Sequence, residues 1–295
     1  MGSLDLVQKD RAPAAAEAGR PPEPAAPIAV AFNHVFLAFD DAVVLRDLSF
    51  SIPKGSMRML LGASGSGKSV VLKLILGLLK PDTGTVEVNG QRIDTMTERE
   101  LLRVRADIGM VFQENALFDS LTVAENVGYR LTEEADRSAA EVQARVEEVL
   151  GFIGLGEYMD RLPSELSGGQ RRRVAIARAM APQPGLLLFD DPITGLDPLV
   201  ATVVDNEIIK LRDLADVTSI VVTHQIRDAV YIATHEAVRE NGELRFVKSD
   251  PSRAHEVKFM VLHQGRLHFE GSATELLASR DSYLQEYMHK TLPPW

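Results

Sequence analysis

Eight residues, GASGSGKS at positions 62–69, leave the chain around them little freedom. MRMLL at 57–61 precedes them, a short apolar run of the kind that forms a strand buried on both faces. SVVLKLILGLLK at 69–80 follows and reads as a helix that stops before Pro81. The stretch between satisfies every fixed position of G-x-x-x-x-G-K-[ST], in the strand-to-helix setting that this pattern requires. Glycines let successive backbone N–H groups turn inward around anionic oxygens with no Cβ in the way. The helix N-terminus adds partial positive charge at the same place. Gly62, Ala63, Ser64, Gly65, Ser66 and Gly67 therefore read as a phosphate cradle, with Lys68 reaching the β- and γ-phosphates of ATP and Ser69 offering its hydroxyl to Mg2+.

A second stretch, LLLFDDPITGLDP at 186–198, drives four large apolar residues straight into two acids. A carboxylate at the end of a buried strand is expensive unless something pairs with it or coordinates it. A phosphate loop supplies the reason, because its magnesium needs an acid from a neighbouring strand, and Asp190 is placed to be that Walker-B type ligand.

Strands are expected over 28–39, 43–52, 85–90 and 108–113, with LLLF (186–189) and SIVVTH (219–224) returning to buried-strand character. Residues 114–181 look mostly helical, with capping-box spacing at Thr122 and Glu125. Strands alternating with helices imply an α/β fold with a largely parallel sheet, into which the helical stretch reads as an inserted α-helical subdomain. Residues 1–27, rich in Ala and Pro, read as a disordered tail, 28–272 as the folded ATPase domain, and 273–295 as a C-terminal helix and tail. The net charge of −10 argues against a nucleic-acid binder held by phosphate contacts, and the absence of cysteine removes disulfide and thiol chemistry. No apolar run is long enough to span a bilayer, and no secretory signal is evident.

LSGGQRRRVAIARAM at 166–180 carries a family resemblance. LSGGQ is the signature of ATP-binding cassette (ABC) ATPases, and the chain resembles that family from residue 39 to residue 224. The resemblance implies the finer form of the fold, a RecA-like core with a mostly parallel sheet and an antiparallel β subdomain. Gln113 resembles the Q-loop glutamine, which helps bind Mg2+ and orients water. GLD (195–197) resembles the D-loop, His224 the switch histidine that contacts the γ-phosphate, and Phe39 the aromatic that stacks on adenine. Ser167 can cap the following helix, so that Gly168, Gly169 and Gln170 stand at a second anion site. The resemblance implies that this site closes on ATP held by another copy, giving a head-to-tail homodimer. Arg171, Arg172 and Arg173 read as a solvated helix face.

Asp191 departs from the family, in which a glutamate polarises the attacking water. A misplacement of about 1 Å can cost on the order of 100-fold in rate. Either Asp191 serves as the base in a reshaped site, or hydrolysis is slow. NALFDSLTVAENV (115–127) and the run at 259–288 resemble ATPases of Mla-type, Mce-associated phospholipid transporters. That implies a separate integral-membrane permease, a Mce-domain lipid-binding partner and a place on the cytoplasmic face of the inner membrane. Its rivals are an ABC ATPase for another substrate, such as a small-molecule importer, and a soluble non-transport ABC protein. Residues 235–257 intervene where the family passes quickly to the next strand, and the alternation around Asn241-Gly242 predicts an extra β-hairpin. Residues 273–289 look like one amphipathic helix with Leu276, Leu277, Leu284 and Met288 available for packing.

Overall fold

The computed structural model describes residues 26–133, 137–215, 217–240, 243–250 and 257–291. The Ala/Pro-rich tail up to residue 25, the Asn241-Gly242 turn and Trp295 lie outside the described residues. In chain order the elements are β1 (Ile28–Phe39), β2 (Ala42–Pro53), β3 (Met57–Leu61), α1 (Lys68–Ile75), β4 (Thr83–Val88), β5 (Gln91–Arg92), α2 (Glu98–Ala106), β6 (Ile108–Val111), α3 (Val123–Glu133), α4 (Ala139–Phe152), α5 (Gly168–Met180), β7 (Leu186–Asp190), α6 (Pro198–Leu214), β8 (Thr218–Val222), α7 (Ile226–Thr234), β9 (His235–Glu240), β10 (Glu243–Lys248), β11 (Val257–His263), β12 (Arg266–Ser272), α8 (Ala273–Leu277) and α9 (Ser282–Thr291).

Six strands form the central sheet in the order β12-β11-β3-β8-β7-β6, parallel throughout except for β12. Alternation along each strand feeds both faces, as the period of two requires. Met57, Met59, Leu61, Leu187 and Phe189 join one apolar cluster with α5, α6 and α7. Leu60, Leu186 and Leu188 join another beneath α1 and the antiparallel sheet β2-β1-β4-β5. Burial on both faces is why these strands read as unbroken apolar runs. Helices α3, α4 and α5 pack on one another, and the expected capping box is present at Thr122 and Glu125: each backbone N–H donates to the other's side-chain oxygen, at 2.7 and 3.2 Å.

Four local expectations are corrected. α1 stops at Ile75 instead of running to residue 80, because Gly77 takes a left-handed φ of 63°. A Cβ there would meet Leu101 at 2.5 Å, so glycine fits both the backbone and the packing. β6 ends at Val111, leaving Gln113 two residues beyond the strand. β8 ends at Val222, leaving His224 in the connection to α7. The single C-terminal helix is two, since Asp281 starts a new one by accepting from Leu284 N at 2.9 Å. Leu276, Leu284 and Met288 are buried there, but Leu277 is exposed.

β9 and β10 pair as an antiparallel ribbon over Glu240↔Glu243 to His235↔Lys248. The ribbon is moored to α6: Asp213 Oδ2 accepts from Ala237 N at 2.8 Å, and the Arg212 guanidinium donates to His235 O at 2.6 Å. Further along α6, Asp205 is 1% exposed, and burial, reinforced by neighbouring Asp228, pushes its carboxyl up to about 8. Above pH 4 the unfolded chain ionises this group while the folded chain retains its proton, so folding loses stability as pH rises towards 8. Asp205→Asn is therefore expected to raise the melting temperature at pH 7.5, by on the order of 2 kcal/mol of stability. The gain should vanish at pH 4, which thermal melts at the two pH values will check.

Candidate nucleotide-binding site

The strands β3, β7 and β8 end side by side, and their outgoing connections meet at the carboxyl edge of the sheet, where open α/β folds bind ligands. From β3 the chain enters the glycine loop. Gly65 and Gly67 hold φ of 78° and 102°, and Gly67 starts α1 from the left-handed region. A Cβ on Gly62 would lie 2.5 Å from Ser66 Oγ and 2.6 Å from the carbonyl of Leu262 on β11. Ala63, Ser64 and Gly65 form the exposed crest. Lys68 is buried, and its Nζ donates to the carbonyls of Gly62 at 2.8 Å and Ala63 at 3.1 Å. Burial lowers its pKa, opposed by the charges of Asp191 and Asp190.

Ser69 Oγ donates to Asp190 Oδ1 at 3.2 Å. Desolvation at the end of β7 raises the Asp190 carboxyl, with Ser69 and Lys68 pulling the other way. A hydroxyl and a carboxylate, both hard oxygen donors, thus meet beside an amide-lined loop. That donor set fits Mg2+, which takes one or two protein oxygens together with phosphate and water. Among the described residues no three His, Asp or Glu side chains form a metal cage of their own. Such a cage is not what a phosphate-bound magnesium needs.

Asp191 and His224 form a pair. Asp191 has a left-handed φ of 45°, and its N–H is held by Val222 O at 2.9 Å. That strained turn aims Oδ1 at His224, where it accepts from the backbone N at 3.2 Å and lies 3.0 Å from Nδ1. A carboxylate in its ionised form can only accept, so opposite it Nδ1 is the donor of this contact.

Gln113 is exposed, and its carbonyl accepts from Arg172 Nη2 at 2.6 Å while Phe112 O accepts from Nη1 at 2.6 Å. The arginine triplet is therefore not a solvated face. Arg172 is 3% exposed, Arg171 donates to Pro163 O, and Arg173 donates to Ile153 O. The basic run concealed this, because periodicity shows which helix face a residue occupies but not what covers it. Arg172 joins α5 to the segment carrying Gln113. Arg172→Met leaves two carbonyls without a donor and is expected to cost about 3 kcal/mol. Thermal melts will measure that loss, and hydrolysis should fall further than ATP binding does.

Ser167 caps α5 in a full capping box: its side chain accepts from Gln170 N at 3.3 Å, and Gln170 Oε1 accepts from Ser167 N at 2.8 Å. A Cβ on Gly169 would meet Val200 of α6 at 2.2 Å, and one on Gly168 would meet Leu196 at 3.4 Å, so this helix start is pressed onto the turn that follows Asp191. Phe39 stands at the end of β1 with 44% of its surface exposed.

The family model described as ABC transporter matches residues 45–194. The sulfate/thiosulfate import ATP-binding protein CysA of Synechocystis is 40% identical over 220 residues, which cover 75% of this chain and 60% of that protein. The methionine import ATP-binding protein MetN of Bradyrhizobium diazoefficiens is 39% identical over 200 residues, covering 68% and 58%. The spermidine/putrescine import ATP-binding protein PotA of Protochlamydia amoebophila is 37% identical over 215 residues, covering 73% and 56%. The matched part of the chain thus spans about three-fifths of the length of these relatives. Among solved structures, the ATP-binding cassette MJ0796 in a dimeric post-hydrolysis state with ADP and Pi superposes with a TM-score of 0.67 at 29% identity, covering 82% of this chain and 98% of that one. CbiO1 of Clostridium perfringens shares the fold, with a TM-score of 0.73 at 23% identity, covering 90% and 96%. None of these three relatives is named as a phospholipid-transporter ATPase: they are import ATP-binding proteins for sulfate/thiosulfate, methionine and spermidine/putrescine. With a family match that contains both the phosphate loop and the LSGGQ stretch, the chain belongs to the ABC transporter family of ATP-binding proteins.

Proposed function

We propose that this chain binds ATP and Mg2+ and hydrolyses the ATP as the motor subunit of an ABC importer for a small solute. The observation that carries this reading is the convergence of the loop 62–69, Asp190 and the Asp191–His224 pair at one edge of the sheet. Ser69 and Asp190 would hold the magnesium, which would supply positive charge against the phosphate oxygens. Lys68 turns from the carbonyls of its own loop to those phosphates, and Phe39 stacks on the adenine. Asp191 is the base that accepts the proton of the attacking water, with His224 orienting it and Gln113 placing the water.

The start of α5, Ser167 to Gln170, serves a second copy of the chain in a head-to-tail dimer. Leu199, at the start of α6, is 82% exposed and supports a surface meant to be covered. Phe112, Phe118 and Tyr129 are also exposed, around a loop braced by Asn126 and Arg178, and suit a membrane permease partner. Among the described residues no helix is long and apolar enough to cross a membrane. In this reading the ATPase works beside an integral-membrane permease on the cytoplasmic face of the inner membrane.

Relatives of nearly equal identity serve sulfate, methionine and polyamines, so the ATPase sequence does not itself select the solute. Their names favour the small-molecule importer. Phospholipid transport with a Mce-domain protein is the second reading, resting on the wording of 115–127 and 259–288 alone. Affinity capture of the chain from membranes of its own cell tests both. A permease with a solute-binding protein supports the importer, and a Mce-domain protein replaces it with the lipid reading. Purified chain that releases no phosphate from ATP with Mg2+, alone or with the captured permease, defeats the motor reading.

A further inference from the structure

We propose that Tyr287, on the C-terminal helix α9, is a positioning residue of the nucleotide site. Its hydroxyl accepts a hydrogen bond from the backbone N–H of Gly62 at 3.1 Å, although the two residues are 225 positions apart. The inference rests on the reading of 62–69 as the phosphate loop. Gly62 is the first residue after β3, where the sheet no longer supplies a partner, and a buried N–H left without one is costly. No side chain of the loop takes that role. Tyr287 does, from 6% exposure.

The same peptide residue is gripped from its other end. The carbonyl of Gly62 accepts from Lys68 Nζ at 2.8 Å, so the hydroxyl of Tyr287 and the loop lysine hold opposite sides of one glycine. Gly62 has no side chain to resist rotation of its backbone, and its φ of 152° is held by this grip and by the wall of Ser66 and Leu262. Release of the N–H frees the residue that anchors Lys68.

α9 itself is locked in place beside the loop. The ring of Tyr283 lies 3.6 Å, centroid to centroid, from that of His263 at the end of β11. Asp281, which starts the helix, is held by His268 Nε2 of β12 at 3.0 Å. Leu284 and Met288 are buried against the main core. Burial pushes the Tyr287 phenol up to about 12, so it remains a neutral hydroxyl across the working range. The C-terminal segment therefore completes the phosphate loop in addition to covering the sheet edge.

The test compares wild type, Tyr287→Phe and Lys68→Ala by hydrogen exchange and by binding of a fluorescent ATP analogue. In the wild type the Gly62 N–H is expected to exchange slowly. In Tyr287→Phe it should exchange roughly tenfold faster, while the amides of Leu284 and Met288 keep their protection and show α9 still docked. Nucleotide should then bind roughly five- to tenfold more weakly, with KM for ATP rising more than kcat falls. Fast exchange of Gly62 in the wild type overturns the proposal, as does unchanged exchange in the variant. Accelerated exchange with unaltered nucleotide affinity assigns the hydroxyl to stability alone and also overturns it. If the wild type binds no nucleotide, or Lys68→Ala binds as well as wild type, the phosphate-loop reading itself has failed, which is a different result.

Discussion

Lys68→Ala is expected to weaken ATP binding at least about 100-fold and to bring hydrolysis below detection. The ammonium is buried between the carbonyls of Gly62 and Ala63 and the two acids Asp190 and Asp191, both of which act to keep it charged. Its removal takes away the one positive side chain of the loop and leaves two neighbouring carboxylates facing an incoming polyphosphate. Repulsion then adds to the lost attraction. The fold should survive, because the carbonyl of Ala63 lies on the exposed crest where water can replace the ammonium, and that of Gly62 is the one buried acceptor left without its donor. Arginine should not rescue, since a planar guanidinium cannot take the place of a compact ammonium in a turn closed by Gly62 and Gly67. Calorimetric titration with ATP measures the first effect, and thermal melts without nucleotide check the second. Retained affinity in a folded variant would sink the assignment.

Asp191→Asn is expected to lower kcat at least about 100-fold while leaving ATP binding within a few-fold of wild type. An amide cannot accept the proton of the attacking water. It also meets the backbone N–H and the ring of His224 without the negative charge that the carboxylate Oδ1 brings to them at 3.2 and 3.0 Å. His224→Ala should fall in the same direction. Because the two side chains work as one unit, the double variant should be no slower than the slower single variant. Multiplying losses in single-turnover assays would show two independent groups and reject the pair. Asp191→Glu separates the two readings of the shorter acid. If the aspartate is the working base, the longer side chain displaces Oδ1 from His224 and the rate falls. If the aspartate is a brake, glutamate accelerates hydrolysis.

Much of this site was legible in order along the chain. The loop 62–69, Asp190, the capping of α5 by Ser167 and the core strands each rest on residues within one short window, where backbone preference and hydrophobic period act directly. The end of α1 was missed because Gly77 ends the helix through its left-handed φ and its packing on Leu101, a contact beyond the window. The break between α8 and α9 was missed because Leu276, Leu284 and Met288 keep a helical spacing across it, whereas Asp281 begins a new turn tied to His268.

Local windows told which residues could bind phosphate and magnesium, because those abilities follow from side-chain chemistry and from the backbone shapes that glycine and caps allow; the second copy came from the family resemblance. They did not tell which groups would share a hydrogen bond. Asp191 meets His224 across 33 positions, Arg172 meets Gln113 across 59, and Tyr287 meets Gly62 across 225. Each meeting exists because parallel strands are joined by helices of their own length and are set side by side only when both faces of the sheet are buried. Pairing across such distances is a property of the closed core, where a side chain's partner is whatever the packing leaves within 3 Å or so of it.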